Sequence, residues 1–172
     1  MKAADNLAVK QKDGYITRLT YLSCPRKPKA SILILHGMAE HHKRYLSFGQ
    51  YLLELGFDVY LYDHRGHGTD KKLSDLGYFA DNKGYQLVID DVIEVSKFIE
   101  KNNRSNKLIL FAHSMGSLIA RNVIQYYDKY NGVILSGTAY PSKPLIFAGL
   151  FIASIIKKVK GPRHISPFLN NL

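Results

Sequence analysis

The sequence predicts an α/β domain, a mostly parallel sheet with helices on both faces. Four short, largely apolar runs, 31–35, 57–62, 108–112 and 132–136, read as strands. The segments between the first three, and between the last two, place apolar residues at helical spacing. Strands alternating with helices of this length pair in parallel through right-handed crossovers, which puts helices on both sides of the sheet. With 172 residues, 46% apolar and 22% charged, the chain is long and apolar enough for one domain with a substantial core.

The elements follow in order. Asp13-Gly14 separates 7–11 from 15–22, two strand-like segments, and Asp-Gly favours a two-residue hairpin turn, so an antiparallel hairpin is expected first. Pro25 and Pro28 mark a linker. The run 31–35 lacks polar alternation, as a strand buried on both faces does. Tyr45, Phe48, Leu52 and Leu55 then recur at helical spacing, and Gly56 stands where a left-handed C-terminal cap falls. After strand 57–62 and a polar, glycine-rich stretch from 63 to 81, the spacing of Tyr85, Val88, Val92, Val95 and Ile99 predicts a second amphipathic helix. Strands 108–112 and 132–136 flank a third helix, whose inward positions are Ile119, Val123 and Tyr126 or Tyr127. Active sites of such sheets lie at the carboxyl ends of the strands.

Composition narrows the function classes. Met1 to Gly14 shows no signal-peptide pattern, and the longest apolar run, 145–156, is shorter than the roughly 18 to 20 residues that cross a bilayer. The lone Cys24 cannot form an internal disulfide, and a cytoplasmic location is expected. The net charge of +10 is scattered along the chain without interleaved aromatics or a recognisable nucleic-acid module. It reads as solvated surface charge, and nucleic acid is not an expected partner.

The chemistry is concentrated in Phe111-Ala112-His113-Ser114-Met115-Gly116-Ser117, where a strand must turn sharply into a helix. A serine on such a turn projects its hydroxyl from the strand end, and small neighbours let the tight backbone segments pass. This stretch resembles the nucleophile elbow G-x-S-x-G of the α/β-hydrolase fold, with Ala112 in place of the first glycine, so a slightly more crowded turn is expected. His36-Gly37-Met38-Ala39-Glu40-His41 resembles the H-G-x-x-E-H segment of the monoacylglycerol lipase and lysophospholipase group. Asp63-His64-Arg65-Gly66-His67-Gly68 resembles the D-x-R-G-H-G loop of the same family, with Asp70 where that family usually has serine. The three motifs stand in family order.

The resemblance implies an acyl-enzyme on Ser114, oxyanion stabilisation by the backbone N–H groups of Met38 and Met115, and a site supported by His36, Gly37, His113 and Gly116. It implies an acyl-ester or lysophospholipid substrate, no cofactor and no metal. The competing reading of Ser114 is a helix-capping serine. His36, His64 and His67 are expected to pack and hydrogen-bond in loops, with Asp63 anchoring its own loop. A non-catalytic lipid- or acyl-binding module, a thioesterase or peptidase of the same fold, and a membrane-surface protein are the alternatives.

A serine hydroxyl needs a base, and usually an acid to orient that base. In this fold the order is Ser, Asp or Glu, then His. No Asp or Glu follows Asp128, and the only downstream histidine is His164, in a basic segment of turn character. The expectation is a fragment: residues 1–143 form the N-terminal part of the core, truncated before the last strands, and 144–172 the start of the cap. The apolar helix within 145–156 is expected to lie exposed, where it can support self-association or peripheral contact with a membrane or micelle.

Overall fold

The hairpin is present with a longer turn than the sequence suggests. In the computed structural model, which describes residues 5–140 and 142–164, β1 (Asp5–Lys10) pairs antiparallel with β2 (Ile16–Leu22). The Gln11 N–H bonds the Tyr15 carbonyl at 2.8 Å and the Gly14 N–H bonds the Gln11 carbonyl at 3.0 Å, so three residues form the loop. Gly14, at φ 86°, is the left-handed residue that follows a type I turn in a three-residue hairpin loop. A two-residue turn is thereby corrected. Asp13 accepts the Tyr15 N–H at 3.1 Å instead of occupying a primed turn with its backbone.

The remaining strands are β3 (Ser31–Leu35), β4 (Asp58–Tyr62), β5 (Leu108–His113) and β6 (Gly132–Ser136). The six form one sheet in the order β1-β2-β4-β3-β5-β6. β2 runs antiparallel to β4, and the pairs β3·β4, β3·β5 and β5·β6 are parallel. Helices α1 (Leu46–Glu54), α2 (Gly84–Asn102) and α3 (Met115–Val123) fill the three crossovers. The chain passes from β3 to β4 on one side and then crosses to β5 on the other. The carboxyl ends of β3 and β5 therefore form the topological switch point, where open α/β sheets place their ligand crevice.

Helices cover both faces, as expected. Leu22, Ile32, Ile34, Val59 and Leu61 pack with Phe48 and Leu52 of α1, while Leu33, Leu35, Tyr60, Tyr62 and Leu110 pack with α2 and α3. Val88, Val92, Val95 and Ile99 are essentially inaccessible, which stabilises α2 by about 1.5–3 kcal/mol per side chain. Tyr85 departs from that stripe: it lies exposed in the first turn, and its hydroxyl accepts a bond from Asn122. Of the two tyrosines after α3, Tyr127 is buried and Tyr126 exposed. The end of α1 follows the expected cap. Gly56 has φ 93°, its N–H bonds the Leu53 carbonyl, and the Phe57 N–H bonds that of Leu52, a Schellman pair.

β6 is the edge strand, and its apolar residues are open: Val133 is 38%, Ile134 51% and Leu135 36% exposed. The described residues divide into two compact units after Thr138. The second contains α4 (Lys143–Lys160), which begins at Ser142 with Pro144 in its first turn and ends at Gly161, φ 89°. Leu145, Phe147, Leu150, Phe151, Ile155 and Val159 of α4 are exposed. Residues 165–172, at the end of the expected cap segment, lie outside the described residues. Among the described residues no helix is long and apolar enough to cross a membrane.

Candidate active site

Ser114 lies between the last residue of β5 and the first of α3, with φ 50° and ψ −120°. That conformation is costly for a residue with a Cβ, and such strain persists only where surrounding structure over-determines it. Three contacts do so. The Ser114 N–H extends the β5·β6 ladder by bonding the Ser136 carbonyl at 2.9 Å. The Ser114 carbonyl accepts the Ser117 N–H at 2.9 Å and the Ser117 hydroxyl at 2.6 Å, which starts the helix. Gly116 lies so close to the end of β3 that a Cβ there would stand 2.6 Å from the Leu35 carbonyl oxygen and 2.7 Å from that of His36.

The Ser114 hydroxyl caps nothing, because no side-chain bond closes the N-terminus of α3. The capping reading therefore finds no support, and the side chain, half-buried, is left available for chemistry. As the first helical residue, Met115 has an N–H without an intrahelical acceptor. Ala112 is fully buried in the strand below the turn, which accommodates its methyl group.

The His36-Gly37 loop meets the elbow. A Cβ on Gly37 would lie 2.9 Å from Glu40 Oε2 and 3.1 Å from Ser114 Cβ, so glycine lets this loop sit against the Ser114 side chain without displacing either neighbour. The orientation of Gly37 is held on both sides. Its N–H donates to Glu40 Oε2 at 2.8 Å, and its carbonyl lies 2.7 Å from His36 Nδ1. His36 Nε2 accepts the His64 N–H at 3.1 Å, which assigns the ring proton to Nδ1 and makes Nδ1 the donor to the Gly37 carbonyl. In a trans peptide C=O and N–H point in opposite directions, so the Met38 N–H faces away from the His36 ring. The Met38 side chain is exposed.

Electrostatics keep this arrangement in one protonation state at neutral pH. Burial pushes His36 down to about 4, so its ring stays neutral. Burial alone would raise the Glu40 carboxyl, but the Gly37 N–H, the Tyr45 hydroxyl at 2.9 Å and the nearby Arg44 outweigh it and hold it below its ordinary value. His64 contributes its backbone and not its ring. Its side chain is fully buried, tilted against His36 and edge-on to Tyr62, and neither ring nitrogen has a partner among the described residues. Burial holds it neutral too. His67 is likewise buried, with Nδ1 3.0 Å from the Arg65 carbonyl. The three histidines are thus packing and loop-bonding groups. Asp63 anchors its loop by accepting the His42 N–H at 2.6 Å. Asp70, in the position where the related loop carries serine, accepts the Thr69 hydroxyl and stands 3.7 Å from Lys43.

One network escaped the sequence reading. Arg65 is buried and binds two carboxylates, Asp91 of α2 at 2.5 and 2.7 Å and Asp13 of the hairpin turn at 2.5 and 2.9 Å, while its guanidinium stacks 4.3 Å from the Tyr15 ring. The arginine holds Asp13 down at about 2, and burial pushes Asp91 up. Glu40 was visible within its motif, and its spacing of three from Gly37 was the available signal. His113 turns toward β6, where Nδ1 lies 3.3 Å from Ser136 Oγ. It lines a cavity of about 390 Å³ with Glu40, Tyr45, Phe48 and Phe111. His164 is exposed in the second unit. Among the described residues no group of three or more His, Cys, Asp or Glu is placed to hold a metal ion.

A serine on a strained strand-to-helix turn, at the switch point of a mostly parallel sheet covered on both faces, defines an α/β-hydrolase. Residues 26–167 match the serine aminopeptidase S33 family, and the chain belongs to that family. It is 29% identical over 146 residues to monoglyceride lipase of Rattus norvegicus, covering 84% of this chain and 45% of that protein. Phospholipase YtpA of Bacillus subtilis is 31% identical over 150 residues, 83% of this chain and 51% of that one. Among solved structures, a highly thermostable carboxyl esterase from Bacillus coagulans superposes with a TM-score of 0.83 at 28% identity, covering 100% of this chain and 56% of the esterase. The chain spans about half the length of the curated relatives it matches.

Proposed function

We propose that this chain is the front part of a carboxylic ester hydrolase that forms an acyl-enzyme on Ser114, with a monoacylglycerol or lysophospholipid as substrate. The observation that carries the reading is the Ser114 turn itself: φ 50°, no helix-capping role for the hydroxyl, and Gly37 pressed against it. Relatives named monoglyceride lipase and phospholipase supply the substrate class. In the reaction Ser114 Oγ attacks the ester carbonyl carbon and loses its proton to a base. The N–H groups of Met38 and Met115 receive the carbonyl oxygen as it becomes negative. Collapse of the tetrahedral adduct expels the alcohol, which takes up the proton, and water then releases the acid by the same steps in reverse role. His36 and Gly37 orient the Met38 peptide, Gly116 lets α3 seat against β3, and His113 supports the elbow from the β6 side.

The base and the acid belong, in this reading, to sequence outside these 172 residues, since no carboxylate follows Asp128. The 172-residue chain alone should show little turnover. We assign 1–143 to the core and 144–172 to the beginning of a cap. The exposed apolar residues of α4, followed by Lys157, Lys158 and Lys160, support peripheral contact of that segment with a membrane or micelle, or self-association, in a cytoplasmic protein.

The test compares the chain with a version extended along its reading frame, each beside Ser114→Ala, on a medium-chain monoacylglycerol and a lysophospholipid. The extended protein should turn over and lose at least about 10⁴-fold on substitution. Turnover by the 172-residue chain near the usual enzyme rate of about 10 per second, abolished by Ser114→Ala, would show that the base lies within it, with His164 the first residue to replace.

A further inference from the structure

A second cavity, of about 680 Å³, opens at the same carboxyl edge of the sheet, and Ser114 is not among its lining residues. One wall is the face of the hairpin that carries the cross-strand pair Asn6 and Thr20, followed along β2 by Arg18 and Ile16. The 3-10 turn His42–Tyr45 supplies His42 and Lys43, the first residue of α1 supplies Leu46, and the loop after β4 supplies Asp63, His67, Asp70 and Lys71. The carboxylates of this wall are engaged, Asp63 with His42 and Asp70 with Thr69 and Lys43. Arg18 and Lys71 have no carboxylate partner among the described residues. The cavity's three cations, Arg18, Lys43 and Lys71, exceed its two carboxylates by one charge, and Arg18 and Lys71 are the two that no carboxylate engages.

Its neutral groups add direction. The Asn6 amide and Thr20 hydroxyl offer donors beside Arg18. His67 is buried, and with Nδ1 donating to the Arg65 carbonyl its Nε2 is left as an acceptor. Two cations and two neutral donors suit a group with three acceptor oxygens better than a carboxylate with two. The volume, within the range of ordinary small-molecule sites, exceeds what a bare oxyanion fills, and Ile16 and Leu46 provide apolar wall. We propose that this cavity binds a phosphoester, with its phosphate between Arg18 and Lys71, its organic part against Ile16 and Leu46, and a ligand hydroxyl donating to His67. The site is separate from the chemistry at Ser114 and stands whether or not that serine is a nucleophile. Its ligand is either a soluble organic phosphate or the phosphate headgroup of a lipid.

The test is a titration of the 15N-labelled 172-residue chain, following backbone amides of Asn6, Arg18 and Thr20. The probes are inorganic phosphate, glycerol 3-phosphate, and phosphatidylcholine vesicles with and without lysophosphatidate. Saturable shifts with glycerol 3-phosphate identify a soluble ligand, and shifts only with lysophosphatidate vesicles identify a headgroup. In either case Arg18→Gln with Lys71→Gln should weaken binding by about tenfold or more, the effect of removing charge-assisted bonds. A control pair of equal net charge, Lys27→Gln with Lys101→Gln, should leave it unchanged. The proposal is overturned if no probe gives saturable shifts, if the control pair weakens binding as much as the cavity pair, or if inorganic phosphate binds as tightly as every phosphoester.

Discussion

Replacing Gly116 by alanine tests the packing that seats the elbow. The new Cβ would lie 2.6 Å from the Leu35 carbonyl oxygen, 2.7 Å from that of His36 and 2.9 Å from the Leu35 carbonyl carbon. Ordinary carbon–oxygen contacts begin near 3.3 Å, so α3 and the end of β3 must separate by about 0.7 Å. Neither side yields easily. Leu35 is hydrogen-bonded into the sheet beside Ala112, and Ser114 at the head of α3 is tied to Ser136. Overpacking of this kind costs about 1–3 kcal/mol, and backbone on both sides argues for the upper end. Against that stands a gain of about 1 kcal/mol from alanine in a helix, which leaves a net loss of about 2 kcal/mol. Urea unfolding followed by circular dichroism should show a lower midpoint with an unchanged slope. Gly132→Ala is the control. Its Cβ would meet only Ile109 Cγ1 at 3.9 Å, an ordinary contact, and its midpoint should stay within about 0.5 kcal/mol of the parent or rise. If Gly116→Ala were as stable as Gly132→Ala, the close approach of α3 to β3 would be wrong, and with it the geometry on which the Ser114 turn depends.

Arg65→Met should destabilise by about 3–5 kcal/mol, because it leaves the buried Asp91 carboxylate without its partner; thermal denaturation measures it, and a loss below about 1 kcal/mol would contradict the pairing. Stability should also fall in mild acid. His36 is held at about 4 when folded against 6.5 unfolded, so below pH 6.5 the unfolded chain takes up a proton the folded one refuses. The contribution is intact above pH 6.5 and lost as pH falls to about 4, ~3 kcal/mol in all, and His36→Gln should flatten that part of the urea-midpoint profile. Ser114→Gly should stabilise by about 1 kcal/mol while removing the nucleophile, since glycine adopts φ 50° without the Cβ strain; a destabilised variant would show that the turn is not strained.

Much of the sheet was legible because burial on both faces leaves a strand without polar alternation, as in Ser31–Leu35, where every residue is buried. The α2 stripe and the Gly56 cap were legible for the same reason: spacing and left-handed geometry are local properties. The elbow was readable from its small residues around Ser114. Long-range pairing was not. Asp13 and Asp91 stand 52 and 26 positions from Arg65, and no local pattern marks three such residues as one network. The tautomer of His36 was equally hidden, since it depends on the backbone N–H of His64 reaching its far nitrogen. Turn length failed for a subtler reason. Asp-Gly suits both a primed two-residue turn and a type I turn with a left-handed glycine, and the Gln11–Tyr15 pairing decides between them.

The open side of β6 leaves the isolated chain prone to pairing with its own copies. Gly-Val-Ile-Leu-Ser carries no charge and no proline, and three branched aliphatic side chains stand in water on its two faces. Such a strand lacks the lysine or proline gatekeepers by which exposed edges normally refuse a neighbour. Among the described residues no strand pairs with its outer edge, whose backbone groups offer a template to any extended segment, including the same five residues of another molecule, with identical side chains in register. Loss of soluble protein should therefore accelerate with concentration faster than in proportion, and a single lysine in place of Ile134 should slow it without touching the core.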